Sequence, residues 1–296
     1  MGSRFRDTLV TALTPASWGT TYIVATELLP HDRPLLAATL RALPAGLVLL
    51  LYARVLPRGA WWWKAGVLGV LNIGAFFALL FVSAERLPGG VAATLGAVGP
   101  IVVTLLSWPV LGLRPAVRTL AAGVIGLVGV ALLVLTPRAA LDGVGIVAGI
   151  GATAAMALGI VLTKRWGRPV SLVAFTGWQL TAGGLVLLPV MLAAEGLPAS
   201  VGGGAIGGFA YLAFGNTALA YVLWFRGIER LPATAVSFLA LLSPIVATLL
   251  GYLVLDQALS ALQLGGMALA ALGLVGGQLT ARLRAPGGGA ALRRVQ

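Results

Sequence analysis

The chain has 296 residues, 59% of them hydrophobic and only 9% charged, with a formal net charge of +12. A soluble domain carries roughly a quarter charged residues, so a water-filled surround is excluded and the bilayer is the solvent. The positive charge does not mark a nucleic-acid binder, because Lys and Arg fall in short gaps between apolar runs and not on one basic face. With no cysteine, disulfides and thiolate metal sites are excluded as well.

Apolar runs of the length needed to cross roughly 30 Å of hydrocarbon recur along the whole chain. They predict an all-α integral membrane protein of about ten transmembrane helices, at Thr8 to Leu28, Pro34 to Ala53, Trp63 to Ala84, Gly89 to Gly112, Ala116 to Thr136, Gly143 to Thr163, Val170 to Ala193, Val201 to Phe225, Pro232 to Val254 and Ser260 to Ala281. The first run follows Arg4 and Arg6, the polarity of a signal sequence, but it is too long for a signal-peptide core and is read as an uncleaved helix. Within it Trp18 and Tyr22, four apart, share a helical face that offers a substrate an apolar wall and a hydroxyl. Glu27 lies near its outer end, and His31 beside Asp32 is either a solvated loop residue or a proton-sensitive gate element.

Arg41 is the one basic residue well inside a span, and burying it requires a partner, with Glu27 the obvious choice. It either holds a substrate carboxylate, locks the first two helices together or snorkels outward; Gln179 stands at the matching place in the seventh span. Trp61, Trp62 and Trp63 precede the third span as interfacial anchors. Asn72 follows at mid-depth, with Phe76 four residues on and expected on the same face. Pro100 in the fourth span removes a hydrogen bond to the Gly96 carbonyl, and Gly99 beside it permits close approach. In the second half Tyr211 and Asn216 occupy the eighth span, and Ser243 and Pro244 occupy the ninth.

The gaps alternate in charge. One set holds Arg4, Arg6, Arg54, Arg58, Lys64, Arg114, Arg118, Lys164, Arg165, Arg168, Arg226, Arg230, Arg282, Arg284, Arg293 and Arg294, while the other holds only Arg33, Arg86 and Arg138. The positive-inside rule then puts both termini in the cytoplasm, which requires an even number of spans.

An ungapped shift of 144 residues aligns Glu85-Arg86-Leu87-Pro88 with Glu229-Arg230-Leu231-Pro232. The same shift aligns Pro100-Ile101-Val102 with Pro244-Ile245-Val246, Thr104-Leu105-Leu106 with Thr248-Leu249-Leu250, and Asn72 with Asn216. The chain is therefore read as a first five-helix repeat over 1–138, a second over 139–282 and a disordered basic tail over 283–296. Five is odd, so the second copy enters the membrane from the opposite face and the repeats are inverted. Such architecture places a substrate site near the midplane, between repeats, at Pro-interrupted spans in corresponding positions. The expected substrate-binding set is Trp18, Tyr22, Asn72, Phe76, Gly99, Pro100, Tyr211, Asn216, Ser243 and Pro244, with Glu27 and Arg41 a possible charge pair. The paired asparagines either bind a polar substrate or serve as interhelical glue.

Trp18-Gly19 in the first span, Arg41 in the second, Leu87-Pro88 to Pro100 across the third and fourth, and a glycine-spaced fifth span resemble the EamA-like drug/metabolite transporters, in two copies. The Leu-Gly-Glu sequence common in that family is replaced by Leu111-Gly112-Leu113 and Leu255-Asp256-Gln257. The resemblance implies export or exchange of amino acids or related small metabolites across a bacterial inner membrane.

No acidic residue stands at mid-depth, so facilitated diffusion or exchange is expected, with Glu27 the only carboxylate placed to carry a proton. A membrane enzyme needs a nucleophile with a base, paired carboxylates or metal ligands within the bilayer, and none is present in the sequence. No cofactor or metal is implied, and the partners expected are a small-molecule substrate and the lipid bilayer. The chain is long enough to enclose a cavity as a monomer; a channel is the competing reading.

Overall fold

The computed structural model describes residues 2–30, 33–87, 89–134, 142–198, 202–256 and 258–283. His31, Asp32, Pro88, the boundary at 138/139 and the tail beyond Leu283 lie outside them. Nine stretches of described helix are long and apolar enough to cross a membrane: Pro34–Ala53, Trp61–Ala84, Val91–Leu111, Val117–Val134, Gly143–Trp166, Leu172–Ala194, Gly203–Arg230, Ala233–Val254 and Ala261–Ala281. They are the second to tenth spans. The first span is helical over Gly2–Gly19 and Thr21–Leu28, so the helix begins well before Thr8 and carries Arg4, Arg6 and Asp7 in its first turns. It is divided at Thr20, whose N–H turns back to the Ser17 carbonyl (3.0 Å).

The fourth and ninth spans are also divided, at corresponding places. Before Pro100 the helix tightens, with Val98 N–H on Leu95 O (3.3 Å) and Ile101 N–H on Val98 O (3.0 Å). Before Pro244 the Ser243 N–H takes the Ala240 carbonyl (3.1 Å), the acceptor that the proline cannot use.

Packing follows the inverted repeat. The second span lies along the seventh and the fifth along the tenth; the third packs on the sixth as the eighth packs on the first. Small residues make these crossings close. A Cβ on Gly129 would meet the backbone of Ala270, and one on Gly273 would meet the backbone of Gly126. A shift of 144 exchanges those two contacts, so a pseudo-two-fold axis passes between the fifth and tenth spans. A Cβ on Gly46 would meet Thr181 and one on Gly184 would meet Leu43, contacts that exchange under a shift of 138. The repeats therefore differ by six residues between their second and third spans, 144 against 138. Under the smaller shift Arg41 matches Gln179.

Large apolar side chains such as Leu51, Val147, Leu253 and Leu272 are exposed on the outer faces of their spans, where lipid would cover them. Of the three tryptophans before the third span, Trp62 and Trp63 are exposed, but Trp61 turns inward against Phe175 (ring centroids 5.9 Å apart). Lys64 lies over Trp61, Trp63 and Trp166 at 5.2, 5.8 and 5.7 Å. At the other end of the bundle, Glu195 caps the second span, its carboxylate accepting from the N–H groups of Leu35 (2.6 Å) and Leu36 (2.8 Å). That carboxylate satisfies two of the unpaired donors of a helix that starts with Pro34, at the positive end of its dipole.

Candidate functional site

A cavity of about 320 Å³ lies between the repeats. Its floor is aromatic: Trp18 from the first span stacks on Tyr221 (5.3 Å) and Trp224 (5.1 Å) from the eighth. Its walls carry Phe76, Phe77, Phe81 and Met156, and the two divided spans contribute Gly99, Pro100, Ser243 and Pro244. From the floor the cavity runs to Ala84, Ala92 and Gly149, at the end of the bundle opposite the N-terminus, where Ala84 is exposed.

The third and eighth spans do not pass this level as regular α-helix. They widen into π-helix at Val70–Gly74 and Tyr211–Leu219, at the level of Asn72 and Asn216. A π segment inserts an extra residue into the turn and leaves main-chain carbonyls available to other donors. Both are used alike: Trp18 Nε1–H donates to the Asn216 carbonyl (3.2 Å), and the Tyr221 hydroxyl donates to the Asn72 carbonyl (3.4 Å). Two rings of the floor are thereby oriented by the π segments.

The asparagine side chains point into the protein, not into the cavity. Both residues are fully buried. Asn72 donates to Gln179 Oε1 (2.8 Å) and to Thr163 Oγ1 (3.4 Å). Asn216 donates to the Ser17 carbonyl (2.6 Å) and accepts from Arg41 Nη2 (2.6 Å) and Thr21 Oγ1 (3.2 Å). The pairs Asn72–Gln179 and Asn216–Arg41 are the same contact in the two repeats.

Arg41 does not pair with Glu27. Its Nε donates to Thr217 Oγ1 (2.9 Å), its Nη2 to Asn216, and its guanidinium lies 4.9 Å from the centre of the Phe77 ring. Glu27 is exposed at the end of its helix, and no ion pair joins the two among the described residues. Arg41 lines the cavity and is 7% exposed.

Of the expected substrate-binding residues, Trp18, Phe76, Gly99, Pro100, Ser243 and Pro244 line one cavity, together with Arg41. Asn72 and Asn216 stand behind its lining. Phe76 does not share a face with Asn72, because the π segment between them changes the register. Trp18 and Tyr22 are separated by the turn at Thr20, and the Tyr22 side chain is outside those described. Tyr211 is exposed and bonds to Thr20 Oγ1 (2.7 Å) outside the cavity lining. Sequence reasoning missed Tyr221, Trp224 and Phe77; the available signal was an aromatic run in the eighth span and the second ring of the Phe76-Phe77 pair.

The end bearing the N-terminus is closed. Asp7 holds Arg226 (2.5 Å) and Arg230 (3.4 Å), Arg168 holds Glu229 (2.9 Å), and Lys164 Nζ donates to the carbonyls of Ile228, Glu229 and Leu231 at 2.7 to 2.9 Å. A cavity closed at one end, floored at mid-depth and lined by interrupted helices from both inverted repeats is the architecture of a membrane transporter.

Comparison with known proteins agrees. The profile of the EamA-like transporter family matches residues 8–135 and again 143–276. Protein PecM of Dickeya dadantii (strain 3937) is 49% identical over 255 residues, 86% of either chain. The uncharacterized inner membrane transporter YedA of Escherichia coli (strain K12) is 29% identical over 245 residues, 79% of this chain and 78% of its own. A solved crystal structure superposes with a TM-score of 0.79 over 94% of this chain and 99% of its own; at 19% identity that likeness shows the fold alone. The chain belongs to the EamA-like transporter family. It is a multi-pass membrane transporter of small molecules and not an enzyme.

Proposed function

We propose that the chain is a secondary transporter that works by alternating access and exports or exchanges small metabolites of the class of amino acids and related compounds. The observation that carries this reading is the cavity between the repeats, open toward one end and closed at the other by the Asp7, Glu229 and Lys164 contacts. Exchanging the conformations of two inverted repeats turns such a cavity to the opposite face without any change in the site itself. The substrate set is Trp18, Phe76, Gly99, Pro100, Ser243 and Pro244, supported from behind by Asn72 and Asn216. The positive gaps support cytoplasmic termini, an orientation in which the open end faces outward, and the likeness to an inner membrane transporter supports that membrane. One chain suffices for the cavity, so it acts as a monomer, organised as units 1–138 and 139–282.

The test is counterflow in proteoliposomes with a panel of labelled amino acids and related metabolites. Saturable exchange is expected. Gly99→Leu, which fills the cavity where only Thr153 Cγ2 lies within reach at 3.9 Å, should abolish it with the melting temperature kept. Conductance that does not saturate would replace the carrier with a channel.

A further inference from the structure

Around the cavity the electrostatics are one-sided. Among the described lining residues Arg41 is the only charged one, and there is neither Asp nor Glu. Its Nε and Nη2 donate to neutral oxygens, Thr217 Oγ1 and Asn216 Oδ1, and among the described residues no carboxylate pairs with the guanidinium. A second donor belongs to the same lining: Trp224 is 1% exposed, and among the described residues its indole Nε1–H, a donor with no acceptor capacity, has no hydrogen-bond partner. The hydroxyls of Thr21, Thr153 and Ser237 donate to oxygens of the protein itself, on Asn216, on Leu95 and Gly149, and on Thr234. Ser243 adds a neutral hydroxyl and Tyr221 a phenol that donates to the Asn72 carbonyl; the other lining side chains are aromatic or aliphatic.

We infer that, within the class of amino acids and related compounds, this cavity favours the aromatic or apolar monoanions that lack an α-ammonium over the zwitterionic amino acids themselves, with Arg41 and the Trp224 indole as the donors to the carboxylate. The inference rests on the reading of the cavity as the substrate site. A carboxylate here receives charge-assisted bonds from groups already fixed by Asn216, Thr217 and the ring stack. An α-ammonium on the same ligand meets a like charge and only neutral oxygens in an apolar enclosure, which disfavours it. The Phe77 ring under the guanidinium continues the wall that an aromatic ligand would contact.

Three compounds with one phenylethyl skeleton separate the charges: 3-phenylpropanoate (anion only), phenylalanine (both charges) and 2-phenylethylamine (cation only). Calorimetric titration of the purified protein in nanodiscs is expected to show 3-phenylpropanoate bound at least about tenfold more tightly than either of the others. Arg41→Gln should remove that preference, and Arg41→Lys should restore its sign at lower affinity. Equal or tighter binding of phenylalanine or of the amine by the wild-type protein overturns the inference whatever the variants do, as does failure of all three to bind. A folded Arg41→Gln protein that keeps the preference overturns it too. The outcomes separate the two readings. Arg41-dependent binding of the anion without counterflow leaves the charge preference standing and removes the carrier, whereas counterflow of phenylalanine but not of 3-phenylpropanoate does the reverse.

Discussion

Among the described residues no carboxylate pairs with Arg41 in the membrane interior, and its acceptors are the side chains of the adjacent Asn216 and Thr217. Removing the amide leaves a buried charged donor unsatisfied, at a cost of about 1–3 kcal/mol or more. Asn216→Ala should therefore lower the melting temperature in detergent further than Asn72→Ala does, since the equivalent contact of Asn72 is with the neutral Gln179. An equal effect of the two would show that the Arg41 bond contributes nothing beyond an ordinary amide contact. Trp224→Phe keeps a ring against Trp18 but removes the Nε1–H together with the second ring of the indole, so the cavity left at this buried site should cost about 1–3 kcal/mol of stability. Anion affinity should fall in the same titration described for Arg41. The sequence marks Arg41 as needing a partner but points to Glu27, which is near it in the chain; the real partners lie six spans away and become neighbours only through the pairing of the second and eighth spans.

At the scale of elements, glycine has two different meanings along these helices. Gly129 and Gly273 stand where two backbones cross, and a side chain there collides with main-chain atoms that cannot rotate away. Gly129→Leu should separate the fifth and tenth spans, cost upwards of about 1–3 kcal/mol by overpacking, and show as a large loss of melting temperature or of folded protein. Gly207, in the helix Gly203–Ala210, has nothing within 4 Å of its would-be Cβ. Gly207→Ala should be neutral or stabilise by about 0.5–1 kcal/mol. A matching loss at both positions would show that the close crossing does not set the penalty, because helix propensity favours both replacements. Both residues read alike in the sequence, as one more small residue in an apolar run. The divided spans were legible from Pro100 and Pro244, but the π segments were not, because no residue type reports a shift from i→i+4 to i→i+5 bonding.

For the molecule as a whole, the closed end is held by few contacts, among which Asp7 is the most buried acid, joined to both Arg226 and Arg230. Loss of its charge should shift the conformational balance toward the state open at that end. The chain has no native cysteine, so a single introduced one reports alone. Thr14→Cys, which replaces a buried residue of the closed end bonded to the Ala220 carbonyl, should react with a maleimide several times faster when combined with Asp7→Asn. An unchanged rate would show that the apolar stack of Trp61, Phe175 and Phe225 closes this end without help from the ion pairs.

Composition, apolar run length and the 144-residue internal repeat by themselves determined that the chain lives in a bilayer, that it has about ten spans and that its halves are inverted copies, because hydrocarbon thickness sets the span length and an odd number of crossings per repeat inverts the second copy. They also brought forward six of the residues that meet at the cavity, through prolines, glycines and aromatics at related depths. What faces the cavity was decided only by tertiary structure. The turn at Thr20, the π segments at Asn72 and Asn216, and the six-residue difference between repeats each rotate side chains about the helix axis. With about 3.6 residues per turn, a displacement of one or two positions moves a residue from lining to packing.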